Sequence, residues 1–308
     1  MRKLAPPPYK AKGIFGVCAL SVRSAELQTR LLGAIADITS AEQQYADLAP
    51  YASLHLFPAT DHVGDWVRGA EMETLYSGTL ARLESKARTY YDAIRASAPN
   101  DICPYCGQRT VDTLDHYLPK SLYPAVAVTP INLIPACSAC NKTKLDFKPP
   151  DAKDLILHPY YDDVPNGIWL KARVLDVDSK PVLEYFADPP STWPTLWSSR
   201  VRAHLDTLKL PQLYALHAAE ELLNNRQSLQ NLHLSGGAAA VKAHCREVQG
   251  SRQAVYLNSW QAACYGALVD SNWFCASGVL AIEASKPVWP ADPSDEIDAL
   301  ALGRIAAT

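Results

Sequence analysis

Long hydrophobic runs are missing from the 308-residue chain, so no stretch reads as a membrane-spanning helix. A strong excess of one charge is also missing, because 29 lysines and arginines are offset by 32 acidic residues, which leaves a formal net charge of −3. This balance argues against a protein that holds nucleic acid by bulk electrostatics alone. The chain has no internal repeat and no Walker-type glycine-rich loop, so we expect no nucleotide hydrolysis of its own.

Cysteine is scarce, and half of the eight cysteines fall in two close pairs. Cys103 and Cys106 form the first pair and Cys137 and Cys140 the second, with thirty residues between the pairs. Each Cys-x-x-Cys pair can place two thiolates at chelating distance across a tight turn, and Gly107 supplies such a turn. The sequence therefore predicts one structural Zn²⁺ site with four thiolate ligands, rather than ordinary core cysteines or a redox dithiol.

The other four cysteines have no pairing logic, so we expect reduced core residues of a cytoplasmic protein. They are Cys18, Cys245, Cys264 and Cys275. The N-terminus resembles a signal peptide only faintly, because Lys10, Lys12 and the three prolines at 6–8 interrupt it. Secretion is therefore not expected.

The residues between and after the cysteine pairs predict a small unit of two strands and one helix. Residues 110–116 alternate apolar and polar side chains, which predicts a short strand that presents Asp115 and His116 at its end. A loop with three prolines follows, and residues 132–135 predict a second strand. The stretch 138–147 predicts a helix that is ended by the two prolines after it.

This arrangement resembles the ββα-metal unit of the HNH endonucleases, in the subgroup that carries a four-cysteine zinc site. The motif residues follow the family's order: Asp115-His116, then Asn132, then Cys137-x-x-Cys140-Asn141-x-x-Lys144. The resemblance implies that His116 is the general base and that Asp115 and Asn141 hold one catalytic divalent ion. It also implies that Asn132 braces the loop between the strands.

The chemistry of phosphodiester hydrolysis supports these implied roles. An imidazole suits the deprotonation of water near neutral pH, and a cation can stabilise the alkoxide that leaves. A carboxylate and an amide oxygen are hard ligands, so Mg²⁺ or Mn²⁺ fits the second site better than another zinc ion. Taken singly, each of these side chains has a structural alternative, such as a surface histidine, a turn carboxylate or a helix cap.

Four further residues are candidates for binding a substrate phosphate: Lys120, Lys142, Lys144 and His158. Lys142 and Lys144 fall on the first turns of the predicted helix, where a solvated helix face is an equal alternative. The stretch 101–150 has five basic residues and four aspartates, a net charge of +1 that is weak for an autonomous DNA-binding unit. We therefore expect affinity to come from other regions, from oligomerisation or from a partner subunit.

The rest of the chain predicts an α+β protein that is mostly helical. Residues 1–12 predict an extended basic arm outside the core, and helices are expected at 24–48 and 65–97. Strands at 168–176 and 181–186 predict a β-hairpin that extends the ββα sheet. The remaining helices are expected at 195–209, 211–231, 238–249, 251–270 and 297–307.

The predicted organisation has four regions, of which only the second carries recognisable chemistry. They are an N-terminal helical region at 1–100, the HNH unit with its structural zinc at 101–160, a β-hairpin extension at 161–190 and a C-terminal helical region at 191–308.

The resemblance implies an endonuclease that hydrolyses DNA and leaves 5′ phosphate ends. An HNH unit between helical regions, without an evident recognition domain, is similar to nuclease subunits of bacterial anti-phage defence systems that work with an ATPase partner, such as Septu-type and retron-associated nucleases. Two alternatives remain open: a non-catalytic zinc-binding adaptor, and a toxin that cleaves RNA or tRNA with the same site.

Overall fold

A computed structural model describes residues 1–145 and 149–283 of the chain. The α-helices are α1 (Ala11–Leu20), α2 (Ala25–Gly33), α3 (Ile35–Leu48), α4 (Gly69–Leu75), α5 (Arg88–Arg95), α6 (Ser138–Lys144), α7 (Thr195–Thr207), α8 (Leu210–Val255), α9 (Trp260–Asp270) and α10 (Asn272–Ala276). The strands are β1 (His62–Val63), β2 (Val67–Arg68), β3 (Thr113–His116), β4 (Leu133–Ala136), β5 (Leu170–Val177) and β6 (Lys180–Ala187). The predicted α+β class, mostly helical, is confirmed.

The described strands form three separate antiparallel pairs: β1 with β2, β3 with β4, and β5 with β6. The predicted β5–β6 hairpin is confirmed, and both residues of its turn, Asp178 and Ser179, have positive φ, which matches the twist of the strands. The expectation that this hairpin extends the sheet of β3 and β4 is wrong. Its strands pack against α8 and α9 instead.

The predicted ββα order is present. β3 and β4 are antiparallel, with His116 opposite Leu133, and α6 follows β4 almost directly. β3 begins at Thr113, later than predicted, because Thr110 and Val111 pair with Ile102 and Asp101, in the segment that leads into the first cysteine pair. α6 ends at Lys144, and Phe147, the predicted end of the helix, lies outside the described residues.

The N-terminal region departs from the predicted helices. The helix expected at 24–48 is divided into α2 and α3 at Ala34. The single helix expected at 65–97 is wrong, because the chain forms β2, α4, one π-helical turn at Tyr76–Leu80 and then α5. Gly78 within that turn is a poor helix former, and apolar periodicity alone does not show where a chain changes direction.

The first residues of the chain pack on the protein instead of forming a separate arm. The main-chain N–H of Arg2 donates a hydrogen bond to the Pro104 oxygen at 2.8 Å, and that of Leu4 donates to the Pro159 oxygen at 2.9 Å. Leu4 is buried in the same core as the four cysteines of the Cys-x-x-Cys pairs. The prediction of an arm outside the core is therefore wrong, because composition does not reveal bonds to residues far along the chain.

The C-terminal region is built on α8, a helix of 46 residues. The predicted boundary between the helices at 211–231 and 238–249 is present as a kink within α8 at Gly237, which has a φ of 63°. The single helix expected at 251–270 is wrong, because α8 continues through Gly250 to Val255 and α9 begins only at Trp260. The helix expected at 297–307 lies outside the described residues. No helix in the described part of the chain combines the length and the apolar character needed to cross a bilayer.

The β3–β4 hairpin lies between two hydrophobic cores. Leu114 and Leu133 belong to a core that also holds buried residues of α1 to α5, whereas Ile134 belongs to a core shared with the β5–β6 hairpin and α7 to α10. Neighbouring residues of a strand face opposite sides, so a short hairpin can contribute to both cores. Each of these two cores therefore contains residues from more than one of the four predicted regions.

The four cysteines outside the Cys-x-x-Cys pairs are buried free thiols, as predicted. Burial raises the pKa of Cys18 to about 11 and the pKa values of Cys245 and Cys264 to about 12. A thiol with such a pKa is almost entirely protonated near neutral pH and is a poor nucleophile. These residues therefore act as small apolar core side chains.

Candidate functional site

The four cysteines of the two Cys-x-x-Cys pairs converge. Their sulfur atoms all lie within 4.8 Å of one another, and all four residues are buried. The N–H groups of Arg109 and Cys140 approach Cys106 Sγ and Cys137 Sγ, each at 3.4 Å. Gly107, with a φ of 64°, turns the chain directly after the first pair. Thiolates around Zn²⁺ lie about 3.8 Å apart, so the cluster is consistent with the predicted structural zinc.

Asp115 lies near the end of β3 with its carboxylate directed into the protein, where only 2% of the residue is exposed. The Tyr105 hydroxyl donates a hydrogen bond to Oδ2 at 2.8 Å, and Lys144 Nζ lies 3.3 Å from Oδ1 and 3.2 Å from Oδ2. Burial raises the pKa of Asp115, and the Lys144 charge and the Tyr105 hydrogen bond offset part of that rise. The carboxylate is thus held from two directions.

His116 ends β3, and its ring is held in one tautomer. Nε2 lies 2.8 Å from the Ala127 carbonyl oxygen, which can only accept, so Nε2 carries the proton and Nδ1 keeps its lone pair. The ring of Tyr76 packs edge-on against His116, with centroids 4.4 Å apart. Burial, opposed in part by the Ala127 bond, lowers the pKa of His116 to about 3. The imidazole is therefore neutral near pH 7, with Nδ1 available as a base.

Asn132 is fully buried and holds the loop between the two strands. Its Oδ1 accepts a hydrogen bond from Leu118 N at 2.7 Å, and its Nδ2 donates to the carbonyl oxygens of Leu118 and Val126 at 3.0 and 3.1 Å. All three bonds go to the main chain of the loop that follows His116. Asn132 therefore fixes the conformation of the loop, and both polar atoms of its side chain are used in doing so.

Asn141 lies on the first turn of α6 and is partly buried. Within residues 1–145 and 149–283, no hydrogen bond is made by its side-chain amide, so the amide oxygen is free to act as a ligand. An ionised carboxylate accepts at about four lone-pair positions, so Tyr105 and Lys144 leave Asp115 with capacity for a metal bond. A carboxylate and an amide oxygen are ligand types that suit Mg²⁺ or Mn²⁺.

Lys144 and His158 do not have the free polar groups that phosphate binding requires. Lys144 is buried, and its ammonium is bonded to Asp115 and to the His116 main-chain oxygen at 2.6 Å. His158 is 1% exposed, its Nδ1 accepts from Tyr160 N at 3.2 Å, and its Nε2 lies 2.9 Å from the Tyr45 hydroxyl. The expected phosphate roles of these two residues are therefore corrected to internal ones.

Lys120 and Lys142 remain available to a substrate. Lys120 forms a partly exposed ion pair with Glu73 of α4, with Nζ 3.4 Å from Oε2. Lys142 is exposed on α6, next to Asn141, and makes no ion pair within the described part of the chain. An exposed surface ion pair contributes little stability, so a phosphate can displace Glu73 from Lys120 at small cost.

Two aromatic residues that contact the site were not indicated by the sequence patterns. Tyr76 belongs to the π-helical turn that follows α4, and such turns are frequent at functional sites, but no spacing in the sequence marks it. Tyr105 lies inside the first cysteine pair, between Cys103 and Cys106. Its place within a metal-binding turn is a signal that could have pointed to the strand end that the turn supports.

Comparison with known proteins gives one family match, to the HNH endonuclease family, over residues 103–147. Protein ea31 of Escherichia phage lambda is 25% identical to this chain over 295 residues, which cover 89% of the chain and 99% of that protein. No solved structure matches the chain significantly. Residues 103–147 therefore form an HNH endonuclease domain with a four-cysteine cluster, and such a domain suggests a role in cleaving nucleic acid.

Proposed function

We propose that the chain is a metal-dependent endonuclease that hydrolyses phosphodiester bonds of DNA, with His116 as the general base. The observation that carries this proposal is the state of His116 within the HNH domain. The Nε2–H group of His116 donates to the Ala127 oxygen, which leaves the lone pair of Nδ1 free to accept a proton at the end of β3. Nδ1 is the atom that would accept the proton of a water molecule whose own pKa would be lowered by a bound divalent ion.

The proposed roles follow from what each side chain can do. His116 accepts the proton of the attacking water at Nδ1, and Asn132 holds the loop that supplies the Ala127 oxygen in place. Asp115 and Asn141 would hold one Mg²⁺ or Mn²⁺ ion, which when bound stabilises charge on the phosphate and on the leaving 3′ oxygen. The products are expected to carry 5′ phosphate ends. The four cysteines would hold Zn²⁺ and keep β3, β4 and α6 in register.

A cleavage assay on two substrates tests this proposal. The zinc-loaded full chain is incubated with labelled DNA and with total RNA, in the presence of Mg²⁺ and in buffer without added Mg²⁺ or Mn²⁺. We expect Mg²⁺-dependent cleavage of DNA, its loss in His116→Ala, and no loss in His62→Ala, which removes an exposed histidine. Cleavage of RNA alone would replace DNA by RNA as the substrate.

Two outcomes would overturn the catalytic role. Cleavage at the wild-type rate by His116→Ala would show that another group is the base. A folded, zinc-containing chain that binds nucleic acid but cleaves neither substrate would favour the alternative of a non-catalytic zinc-binding adaptor.

We further propose that the chain works with a partner subunit, for which an ATPase is the expected class. The support is the near-neutral charge of the chain and of the stretch around the site, which is weak for an autonomous DNA-binding protein. A role in anti-phage defence in the cytoplasm rests on resemblance alone, and a relative encoded by a phage does not favour it. Robust cleavage of plasmid by the purified chain alone would contradict an obligate partner.

A further inference from the structure

Tyr105 contacts one of the proposed metal ligands from inside the zinc-binding turn. Its hydroxyl donates a hydrogen bond to Asp115 Oδ2 at 2.8 Å, and both side chains are buried. We propose that Tyr105 is a positioning residue that orients the Asp115 carboxylate for the catalytic divalent ion. This inference rests on the proposed nuclease function.

The hydrogen bond restricts the Asp115 carboxylate in a way that packing alone does not. A carboxylate at a strand end can rotate about its last side-chain bond, and each rotation points different lone pairs at the metal position. Tyr105 fixes Oδ2 from the side of the zinc cluster, while Lys144 approaches both oxygens from α6. Because Tyr105 and Lys144 donate from fixed positions, the remaining lone pairs of the Asp115 carboxylate point in a fixed direction.

Tyr105 is itself held by two parts of the molecule. Cys103 and Cys106 flank it, so the structural metal cluster fixes its main chain. Its carbonyl oxygen is bonded to Nε2 of His204 at 2.9 Å, and Nδ1 of that buried residue of α7 accepts from Leu157 N at 3.3 Å. The C-terminal helical region is therefore linked through Tyr105 to Asp115, the proposed metal ligand. A donor supported in this way can hold a ligand to within a fraction of an ångström.

A purely space-filling role for Tyr105 makes a different prediction from a positioning role. Tyr105→Phe keeps the buried ring and removes only the hydroxyl. If the ring alone matters, this substitution leaves divalent-ion binding unchanged. If the hydrogen bond orients Asp115, the substitution weakens binding of the ion by about 10- to 100-fold, as loss of a partner behind a metal ligand commonly does.

Tyr214 offers a matched control. It is also a buried tyrosine, and its hydroxyl donates to the carbonyl oxygen of Cys106 at 2.9 Å, in the same turn as Tyr105 but away from Asp115. Tyr214→Phe therefore removes one buried hydroxyl from the same zinc-binding turn without touching the carboxylate. Its zinc content and its affinity for Mn²⁺ are expected to equal those of the wild type.

The experiment titrates Mn²⁺ into the zinc-loaded full chain and follows free Mn²⁺ by electron paramagnetic resonance, with cleavage measured against Mg²⁺ concentration in parallel. For Tyr105→Phe we expect Mn²⁺ affinity and the Mg²⁺ dependence of cleavage to shift by about 10- to 100-fold, and kcat at saturating Mg²⁺ to change by less than about threefold. Zinc content should stay the same in all variants.

The outcomes separate this proposal from the proposed function. Wild-type Mn²⁺ affinity in Tyr105→Phe, or an equal loss in Tyr214→Phe, overturns the positioning role while leaving the nuclease intact. If the wild type neither binds Mn²⁺ nor cleaves, the proposed function itself fails. Should Tyr105→Phe lose zinc, His204→Leu removes the donor to the Tyr105 carbonyl oxygen without altering the Tyr105 ring; it is expected to weaken Mn²⁺ binding, and unchanged Mn²⁺ affinity there also overturns the proposal.

Discussion

Lys144 and Asp115 form an ion pair inside the HNH domain, with Nζ 3.2 Å from Oδ2 and only 4% and 3% of the two side chains exposed. The same ammonium donates to the main-chain oxygen of His116 at 2.6 Å. The end of α6 is thereby joined to the end of β3 by charge as well as by packing. A buried pair is costly to break from one side, because the remaining charge has no partner.

Lys144→Met should therefore destabilise the protein in the absence of Mg²⁺ by about 3–5 kcal/mol, since Asp115 is left as an unpaired buried carboxylate. Lys142→Met removes an exposed charge from the same helix and should change the free energy of unfolding by less than about 0.5 kcal/mol. Urea unfolding of the zinc-loaded chain measures both. Mg²⁺ should recover part of the loss, because a bound ion can replace the ammonium beside Asp115.

An unfolding free energy for Lys144→Met equal to that of the wild type would contradict this expectation. It would mean that Asp115 is protonated in the folded protein and needs no cation beside it.

Removal of one zinc ligand should collapse the HNH domain. Cys137→Ser leaves three thiolates, and structural Zn²⁺ contributes apparent binding energies of about 10–16 kcal/mol in small zinc folds. We expect the variant to lose zinc and to melt at a much lower temperature. Zinc content measured by atomic absorption, together with thermal melting, tests this; Cys275→Ser, in a buried cysteine outside the cluster, should keep its zinc. Unchanged zinc content in Cys137→Ser would refute the shared four-cysteine site.

Two buried neutral histidines predict a loss of stability in acid. Burial lowers the pKa of His158 well below its usual value and that of His204 to about 3. Because an unfolded histidine titrates near 6.5, the unfolded state binds more protons below that pH, and the free energy of unfolding falls as the pH drops. Between pH 7.5 and 5.0 this effect should cost about 2 kcal/mol for His204, with its folded pKa of about 3, and His158 should act in the same direction.

The test compares urea unfolding at the two pH values in His158→Gln and in His62→Gln. The first variant should lose part of the pH dependence, because a glutamine takes up no proton in the unfolded state. His62 is exposed, so its replacement should leave the pH dependence as in the wild type. The same pH dependence in His158→Gln and in the wild type would show that this histidine is not kept neutral by burial.

The sequence predicts those parts of the site whose residues are close along the chain. Each cysteine pair is local, and the strand that ends at Asp115 and His116 is marked by its own alternation of apolar and polar residues. The convergence of the two cysteine pairs followed from the chemistry of zinc, which needs four ligands at one point. In these cases the ligand spacing or the strand alternation can be recognised within a short stretch of sequence.

Contacts between distant segments could not be predicted in this way. Lys144 looks like a residue of a solvated helix face until α6 is packed against β3, where its ammonium meets Asp115. His158 follows a strand-like stretch and looks free, but the fold surrounds it with the rings of Tyr45 and Tyr117. Helical periodicity describes which face of a segment is apolar, not which partner covers that face.

Asn132 and Asn141 are predicted to fail in different ways when each is replaced by alanine. Asn132→Ala leaves the N–H and the carbonyl oxygen of Leu118 without a partner, at about 1–3 kcal/mol for each buried group, whereas the carbonyl oxygen of Val126 keeps its hydrogen bond from Thr129 N. The Leu118 amide should then exchange its hydrogen much faster. Asn141→Ala removes a proposed metal ligand and should weaken Mn²⁺ binding while the Leu118 amide stays protected.

Hydrogen exchange read by mass spectrometry on the peptide that contains Leu118, together with Mn²⁺ titration, separates the two roles. DNA cleavage should fall in both variants, in Asn132→Ala because the loop no longer presents the Ala127 oxygen that holds the His116 tautomer. Higher Mg²⁺ should restore part of the activity in Asn141→Ala and none in Asn132→Ala, since only the first defect is one of ion affinity. Protection of Leu118 that survives in Asn132→Ala would show that the loop is held by packing, with the three hydrogen bonds contributing little.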